Sequence, residues 1–116
     1  MKSHVCLFCE IAQGKKPATI IHQTETVIAF KDIRPQAPMH LLVIPKEHIP
    51  TLNDITPAHQ DLIGELFLVA KELAQKLGFA ERSYRTVFNC NRDAGQDVYH
   101  IHLHLLAGRQ FYWPPG

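Results

Sequence analysis

Three histidines near the end of the chain have the residue type and spacing for chemistry. His100, His102 and His104 alternate with apolar residues across positions 99–105, the period-2 pattern of a half-buried strand. Residues i, i+2 and i+4 of a strand share one face, so we expect three imidazoles in a row and Tyr99 on the core side. Burying three rings without partners is costly, so strict alternation predicts a functional site rather than three structural histidines.

The spacing of these histidines limits how they could bind a metal. Neighbouring rings are about 6.6 Å apart along a strand and the outer pair about 13 Å apart. Zn–N bonds are about 2.0–2.1 Å long, so His100 and His104 can hardly share one ion. We therefore expect the three histidines to have different roles.

A neutral imidazole can act as a nucleophile, a general base or a metal ligand. His102 has a histidine on either side and is the candidate nucleophile. A phosphorus electrophile suits it, because a phosphoryl-histidine bond can be cleaved in a second step and nearby donors stabilise phosphate charge. The alternative is a catalytic metal ion that uses His100 and His102 as ligands.

The three cysteines include a Cys-x-x-Cys pair, Cys6 and Cys9, while Cys90 stands alone. An odd count argues against a disulfide framework. The pair is half of a zinc site, whose other ligands must come from elsewhere in the fold. A thioredoxin-like redox pair is disfavoured by the lack of a βαβ pattern, and coincidence is the remaining alternative.

Hydrophobic periodicity predicts an α+β domain with about five mostly antiparallel strands, one long helix and one short helix. Thr56 as N-cap, Pro57 at the first position and Gly78 after the end bound a long amphipathic helix of about twenty residues. The short helix is expected at 6–12. The predicted strands are 19–22, 27–31, 40–45, 84–89 and the histidine run.

Composition is that of an ordinary globular domain, 46% hydrophobic and 20% charged, and residues 1–116 form one domain. A net charge of +1 gives no reason to expect nucleic-acid binding. No apolar run is long enough for a membrane span, and the first residues lack the apolar core of a signal peptide. We expect a cytoplasmic protein, with His4, His22 and His59 at its surface.

The motif His-φ-His-φ-His-φ-φ at 100–106 resembles the signature of the histidine triad (HIT) family. The lead-in Gly-Gln-Asp-Val-Tyr at 95–99 and the ending Trp-Pro-Pro-Gly at 113–116 are similar to the Hint-like branch, the nucleoside phosphoramidases. Residues 36–40, Gln-Ala-Pro-Met-His, match that branch apart from Met39. The resemblance covers residues 7–116.

The resemblance implies a HIT-like fold and hydrolysis of purine nucleoside phosphoramidates, adenylated amines among them. His102 would attack the α-phosphorus, and water would then release the nucleoside monophosphate. His104 and His40 would contact the phosphate. The other implied nucleotide contacts are Asn89 and Gln96 to phosphate oxygens or the leaving group, Asp32 to the ribose, and Leu7, Phe8, Ile11, Phe30 and Ile33 to the base.

Asp97 departs from the family pattern, because many relatives carry a serine at this position. A serine donates a hydrogen bond to the leaving group, whereas an ionised aspartate only accepts. Asp97 would therefore either hold a protonated leaving amine or be protonated itself.

The resemblance also implies a structural zinc, since a subset of the family pairs Cys-x-x-Cys with two histidines that match His48 and His100 here. The ion would then be held by Cys6, Cys9, His48 and His100. No organic cofactor is implied. The resemblance further implies a homodimer whose two sheets are joined.

Several alternatives remain at the level of sequence. Asp32 could only cap a turn, Asn89 could only satisfy loop backbone, and the five apolar residues could only be core. A dinucleoside polyphosphate hydrolase is the nearest rival activity. A nucleotide-binding scaffold with incidental hydrolysis is the rival from another functional class.

Overall fold

One antiparallel sheet carries the fold of the computed structural model, which describes residues 6–116. Its order is β1-β2-β3-β5-β4. The strands are β1 (Ile20–Gln23), β2 (Val27–Lys31), β3 (Met39–Pro45), β4 (Tyr84–Val87) and β5 (Leu103–Ala107). This confirms the α+β prediction. The expectations about the first residues, His4 among them, lie outside the described part of the chain.

The two faces of the sheet are covered by two helices of unequal length. Helix α2 (Gln60–Lys76) packs Leu66, Leu73 and their apolar neighbours against the inward side chains of β3 and β5. Helix α1 (Leu7–Ala12) brings Phe8 and Ile11 to the opposite face, where a smaller apolar cluster forms. Alternating side chains of β3 and β5 thus reach different layers, as the period of two requires.

The ends of α2 lie close to the positions that the sequence indicates. A single 3-10 turn, Pro57–His59, precedes the helix, and the Thr56 N–H donates to His59 Nδ1 at 3.0 Å. Gly78 takes a φ of +88°, which lets the Phe79 N–H donate to the Ala74 carbonyl at 2.8 Å and ends the helix.

The histidine strand is shorter than predicted, because β5 begins at Leu103 rather than at residue 99. Its partner β3 ends at Pro45, which has no N–H to continue the ladder, and the Ile101 N–H instead donates to the Ile49 carbonyl at 2.8 Å. The alternation of faces still holds at Ile101, which is buried in the core. Tyr99 lies before the strand and is 42% exposed, so its predicted place in the core is wrong.

Strand β4 ends at Val87, two residues earlier than predicted. Val87 pairs with His104, close to the start of β5, so Phe88 and Asn89 have no neighbouring strand to continue the pairing.

Among the described residues, no helix has the length and apolarity to cross a membrane.

Substituting Leu66→Ala should lower the free energy of unfolding by about 2–5 kcal/mol, because the side chain is fully buried between α2 and the sheet. Leu77→Ala at the end of the same helix is the matched control, since Leu77 is 43% exposed. Urea denaturation in the same metal concentration measures both. Equal losses in the two variants would contradict this packing.

Candidate active site and metal centre

The three histidines of the motif reach two separate sites. The His100 Nε2–H donates to the Pro45 carbonyl at 2.7 Å, which leaves Nδ1 with a lone pair. That Nδ1 faces Cys6 and Cys9. His102 and His104 lie on the same side of the sheet but line a cavity instead. The prediction of different roles along one face therefore fits the geometry.

His102 is held in one tautomer by the backbone. Its Nδ1–H donates to the His100 carbonyl at 2.8 Å, so Nε2 carries the lone pair. The ring is 95% buried, and its centre lies 5.2 Å from the centre of the Phe8 ring at an interplanar angle of 90°. Asp97 Oδ1 lies 4.0 Å from His102 Nε2. An unprotonated nitrogen thus faces the cavity.

His40 and His104 form a hydrogen-bonded pair beside this nitrogen. The Gln36 N–H donates to His40 Nδ1 at 3.0 Å, so the proton of neutral His40 is on Nε2. His40 Nε2 lies 2.9 Å from His104 Nδ1, which accepts. His104 therefore carries its own proton on Nε2. The result is a donor next to the lone pair of His102.

Burial keeps this pair neutral. Burial lowers the pKa of His40, although the nearby Asp32 carboxylate partly opposes the effect. Burial also lowers the pKa of His104, to about 4, with further lowering by the positive charges that His102 and His40 would carry. At neutral pH each ring is therefore a donor through one nitrogen and an acceptor through the other.

The cavity has a volume of about 490 Å³ and is lined by both apolar and polar side chains. A nucleotide, with its base and its phosphate, requires both kinds of contact. The predicted site residues that line it are Leu7, Phe8, Ile11, Phe30, Asp32, Ile33, His40, Asn89, Asp97, His102 and His104.

Gln96 is the one predicted nucleotide contact that does not line this cavity. Its Oε1 accepts from the Asn91 N–H at 2.8 Å, and its Nε2 donates to the Pro50 and Val98 carbonyls. Its amide is therefore occupied by loop backbone, which differs from the expected contact with phosphate. Gln96 instead fixes the loop that carries Asp97.

Asp32 caps a turn and also lines the cavity. Its Oδ1 accepts from the Arg34 N–H at 2.8 Å, which closes a turn. Its Oδ2 lies 3.4 Å from His40 Nε2 and faces the cavity.

Gln36 was not predicted as a site residue. It acts through its backbone N–H, which every residue except proline has, so the type of its side chain could not indicate this role.

The Cys-x-x-Cys pair meets His48 and His100 in one cluster. Cys6 Sγ lies 3.3 Å from His100 Nδ1, and Cys9 Sγ lies 3.4 Å from His48 Nδ1. The two imidazole nitrogens are 3.3 Å apart, and all four donor atoms lie within 4.8 Å of one another. This group could hold a metal ion.

The separations in this cluster fit a tetrahedral ion. Bonds to zinc of the usual lengths give tetrahedron edges of about 3.3 Å between two nitrogens and about 3.6 Å between nitrogen and sulfur. The Pro45 carbonyl orients the His100 ring through the nitrogen that does not face the cysteines. Histidines that bind metal ions commonly make such a hydrogen bond. Burial, followed by the hydrogen bond with Cys6, raises the pKa of Cys9 to about 11. A cation would therefore be needed to hold the Cys9 sulfur as a thiolate.

A second group of potential ligands, Asp32, His40 and His104, also meets within the described residues. The 2.9 Å contact between its two imidazoles is a hydrogen bond, and the other nitrogen of His40 is occupied by the Gln36 N–H. Neither potential metal group among residues 6–116 contains His102. A catalytic ion shared by His100 and His102 is therefore not what this geometry provides.

Three comparisons agree with the predicted family. A family model described as "Scavenger mRNA decapping enzyme C-term binding" matches residues 5–111. The purine nucleoside phosphoramidase of Escherichia coli K12 is 47% identical over 103 residues, which cover 89% of this chain and 87% of that protein.

Solved structures share the whole fold. A HIT family hydrolase from Legionella pneumophila superposes with a TM-score of 0.95 at 56% identity, covering 97% of this chain and 100% of that one. A histidine triad protein from Clostridium difficile gives 0.91 at 38% identity, covering 97% of each chain. With the motif histidines in the geometry described above, these similarities show that the chain belongs to the histidine triad family.

Proposed function

We propose that this protein hydrolyses the P–N bond of purine nucleoside phosphoramidates through a nucleotidyl-histidine intermediate on His102. The observation that carries the proposal is the unprotonated Nε2 of His102, which faces a nucleotide-sized cavity beside a neutral donor on His104. The phosphoramidase activity of the E. coli relative supports the choice of bond and of purine substrates.

In the first step, His102 Nε2 attacks the α-phosphorus and the P–N bond breaks. The electron pair of that bond leaves with the amine nitrogen, which takes up a proton from solvent at the open side of the cavity. The His104 Nε2–H donates to a phosphate oxygen as negative charge builds there. The His100 carbonyl accepts from His102 Nδ1–H and stabilises the imidazolium that forms.

In the second step, water attacks the same phosphorus and the bond from phosphorus to Nε2 breaks. Its electron pair returns to the imidazole, and the water releases one proton. Across both steps the phosphoramidate and one water give a nucleoside monophosphate and an amine. The enzyme returns to its starting protonation state.

The mixed lining of the cavity matches the parts of a nucleotide. Phe8 and Phe30, whose ring centres lie 5.4 Å apart at an interplanar angle of 73°, are among the apolar side chains that would receive the base. Asp32 Oδ2 would accept from the ribose hydroxyls, and Asn89 would bind the phosphate or the leaving group. The phosphorus would then lie at His102.

Asp97 lines the cavity on its solvent-exposed side, near His102. Its side chain is 83% exposed, and Oδ1 lies 4.0 Å from the attacking nitrogen. A carboxylate in this place would accept a hydrogen bond from a departing ammonium group. We assign Asp97 to leaving-group binding, and thus to a preference for cationic amines.

The Cys6, Cys9, His48 and His100 cluster would hold one structural zinc ion. Four protein ligands leave no open position for substrate, so the ion would stabilise the fold rather than react. It would join α1 to the segment before β5 and so support the wall of the active site. These thiol ligands would stay reduced in the cytoplasm, where we place the protein.

We further infer a homodimer. The solvent-exposed apolar side chains of Phe67, Leu68 and Trp113 offer surface that a second copy could bury. Strand β4 lies at one edge of the sheet and is open to pairing with the equivalent strand of that copy.

Substituting His102→Ala should reduce hydrolysis of adenosine 5′-phosphoramidate at least about a thousandfold, because no other group on this face supplies the nucleophile. His22→Ala on β1 is the matched control and should keep the wild-type rate. Rapid quenching in alkaline denaturant, followed by peptide mass spectrometry, should find the nucleotide on His102. An active His102→Ala protein, or an adduct on another residue, would refute the mechanism, and binding without turnover in the wild type would favour a scaffold.

Folding stability should fall as the pH decreases from 6.5 towards about 4, because the pKa of His104 is lowered from 6.5 to about 4 in the folded state. In that window the unfolded chain binds a proton at this residue that the folded chain does not. His104→Gln should remove this part of the pH dependence. Solvent screening limits the contribution of His104 to the free energy of unfolding to about 2 kcal/mol. Urea titrations at each pH and one metal concentration give the free energy of unfolding of the wild type and of the variant. If the two free energies changed with pH in parallel, the lowered pKa of His104 would be contradicted.

The purified protein should contain one zinc ion per chain by elemental analysis, and Cys9→Ser should lose it while Cys90→Ser retains it. Zinc at about a hundred times its Kd should stabilise the wild type by about 3 kcal/mol over the chelated form. A chelated protein that is still folded should keep its phosphoramidase activity. Loss of turnover without loss of fold would instead make the ion catalytic.

A further inference from the structure

We propose that Arg109 is a positioning residue that holds the 34–38 loop so that His40 and His104 keep the tautomers in which His104 Nε2–H donates to the phosphate in the transition state. Its effect on catalysis rests on the proposed function, whereas its effect on the two imidazoles does not. No motif in the sequence links Arg109 to these histidines, which lie on different strands.

Arg109 reaches the loop directly. Its Nε–H donates to the Gln36 carbonyl at 2.9 Å. The guanidinium lies 4.4 Å from the centre of the Phe111 ring, and one terminal N–H donates to the Gln110 carbonyl at 2.9 Å. Stacking and the second bond hold the guanidinium plane in the direction of Gln36.

A second contact brings the same two segments together. Gly108 has a φ of +97°, and a Cβ on it would lie 2.9 Å from Pro38 Cβ. A side chain at position 108 would therefore both strain the backbone and push the loop away. The segment after β5 and the loop before β3 are thus packed at two points, residues 36 and 38.

Gln36 joins this packing to the active site through its two backbone groups. Its carbonyl accepts from Arg109, and its N–H donates to His40 Nδ1 at 3.0 Å. Arg109 does not line the cavity, so its influence on substrate passes through Gln36. Displacing Gln36 removes the donor that keeps the proton of His40 on Nε2.

The consequence for His104 follows from the hydrogen bond between the two rings. If His40 carries its proton on Nδ1, its Nε2 presents a lone pair to His104 Nδ1, 2.9 Å away. His104 must then place its proton on Nδ1, and its Nε2 no longer donates to phosphate. Asp32 Oδ2, 3.4 Å from His40 Nε2, still favours the original tautomer, so the expected change is partial.

The test compares Arg109→Met with Arg85→Met. Arg85 is the matched control because it also lies over the Phe111 ring, at 5.2 Å, but donates to the Tyr112 carbonyl rather than to the loop. Imidazole ¹⁵N shifts at neutral pH report the tautomers of His40 and His104 without requiring turnover. The kinetic substrate is adenosine 5′-phosphoramidate.

In Arg109→Met we expect the ¹⁵N pattern of His40 to move towards the Nδ1–H form, and that of His104 to follow. The kcat should fall about five- to tenfold with KM little changed, the effect of weakening one hydrogen bond made in the transition state. Arg109→Lys should restore part of the wild-type ¹⁵N pattern and part of kcat, since an ammonium group can still donate to the Gln36 carbonyl. Arg85→Met should stay within about twofold of wild type.

Gly108→Ala is an independent way to displace the loop with Arg109 intact, and it should produce the same change in the ¹⁵N pattern. Unchanged tautomers in Arg109→Met, or equal changes in Arg85→Met, would overturn the proposal. If the wild type lacks phosphoramidase activity, the proposed reaction fails, but the ¹⁵N comparison still decides the role of Arg109.

Discussion

The hydrogen bond from His102 Nδ1 to the His100 carbonyl, 2.8 Å long, is the constraint on which the site depends. It decides which nitrogen of His102 faces the cavity and which one carries the proton. The donor and acceptor belong to residues two positions apart, yet the two side chains serve different sites. The carbonyl of a candidate metal ligand thus orients the candidate nucleophile, while the ion itself would stabilise the fold and not touch substrate.

A second chain of hydrogen bonds would supply the proposed partner for the phosphate. It runs from the Gln36 N–H through His40 to His104 and leaves a neutral donor at its end. Neutrality matters, because a permanent positive charge in this buried place would carry a large desolvation cost. A neutral donor instead interacts most strongly when negative charge develops on the phosphate. Burial of the pair, which lowers both pKa values, is therefore part of the chemistry.

Much of this arrangement could be predicted from residue spacing. Alternation correctly separated the core side chains, such as Ile101 and Leu103, from the histidines, since that separation needs only the period of a strand. The same alternation predicted a strand that begins at Tyr99, whereas β5 begins at Leu103. Strand pairing depends on where β3 ends and not on the pattern in the histidine run. The Cys-x-x-Cys pair predicted a metal cluster, while its histidine partners came from the family resemblance.

The tautomers could not be predicted, because each depends on one backbone group whose position is set by the tertiary fold. Gln36 contributes through its N–H and carbonyl, for which any residue other than proline would serve as well. Gln96 looked like a phosphate ligand by resemblance, but backbone groups of Asn91, Pro50 and Val98 take up its amide. Asp32 shows the opposite case, since capping a turn and facing the cavity use different oxygens of one carboxylate.

The central claim is that His102 Nε2 is the atom that meets phosphorus. A crystal structure of the protein with a non-hydrolysable nucleoside phosphoramidate analogue tests it most directly. We expect the reacting centre about 3–3.5 Å from His102 Nε2, opposite the leaving group, with one oxygen on His104 Nε2. An analogue bound with its phosphorus-equivalent atom far from His102, or a metal ion on that nitrogen, would contradict the account.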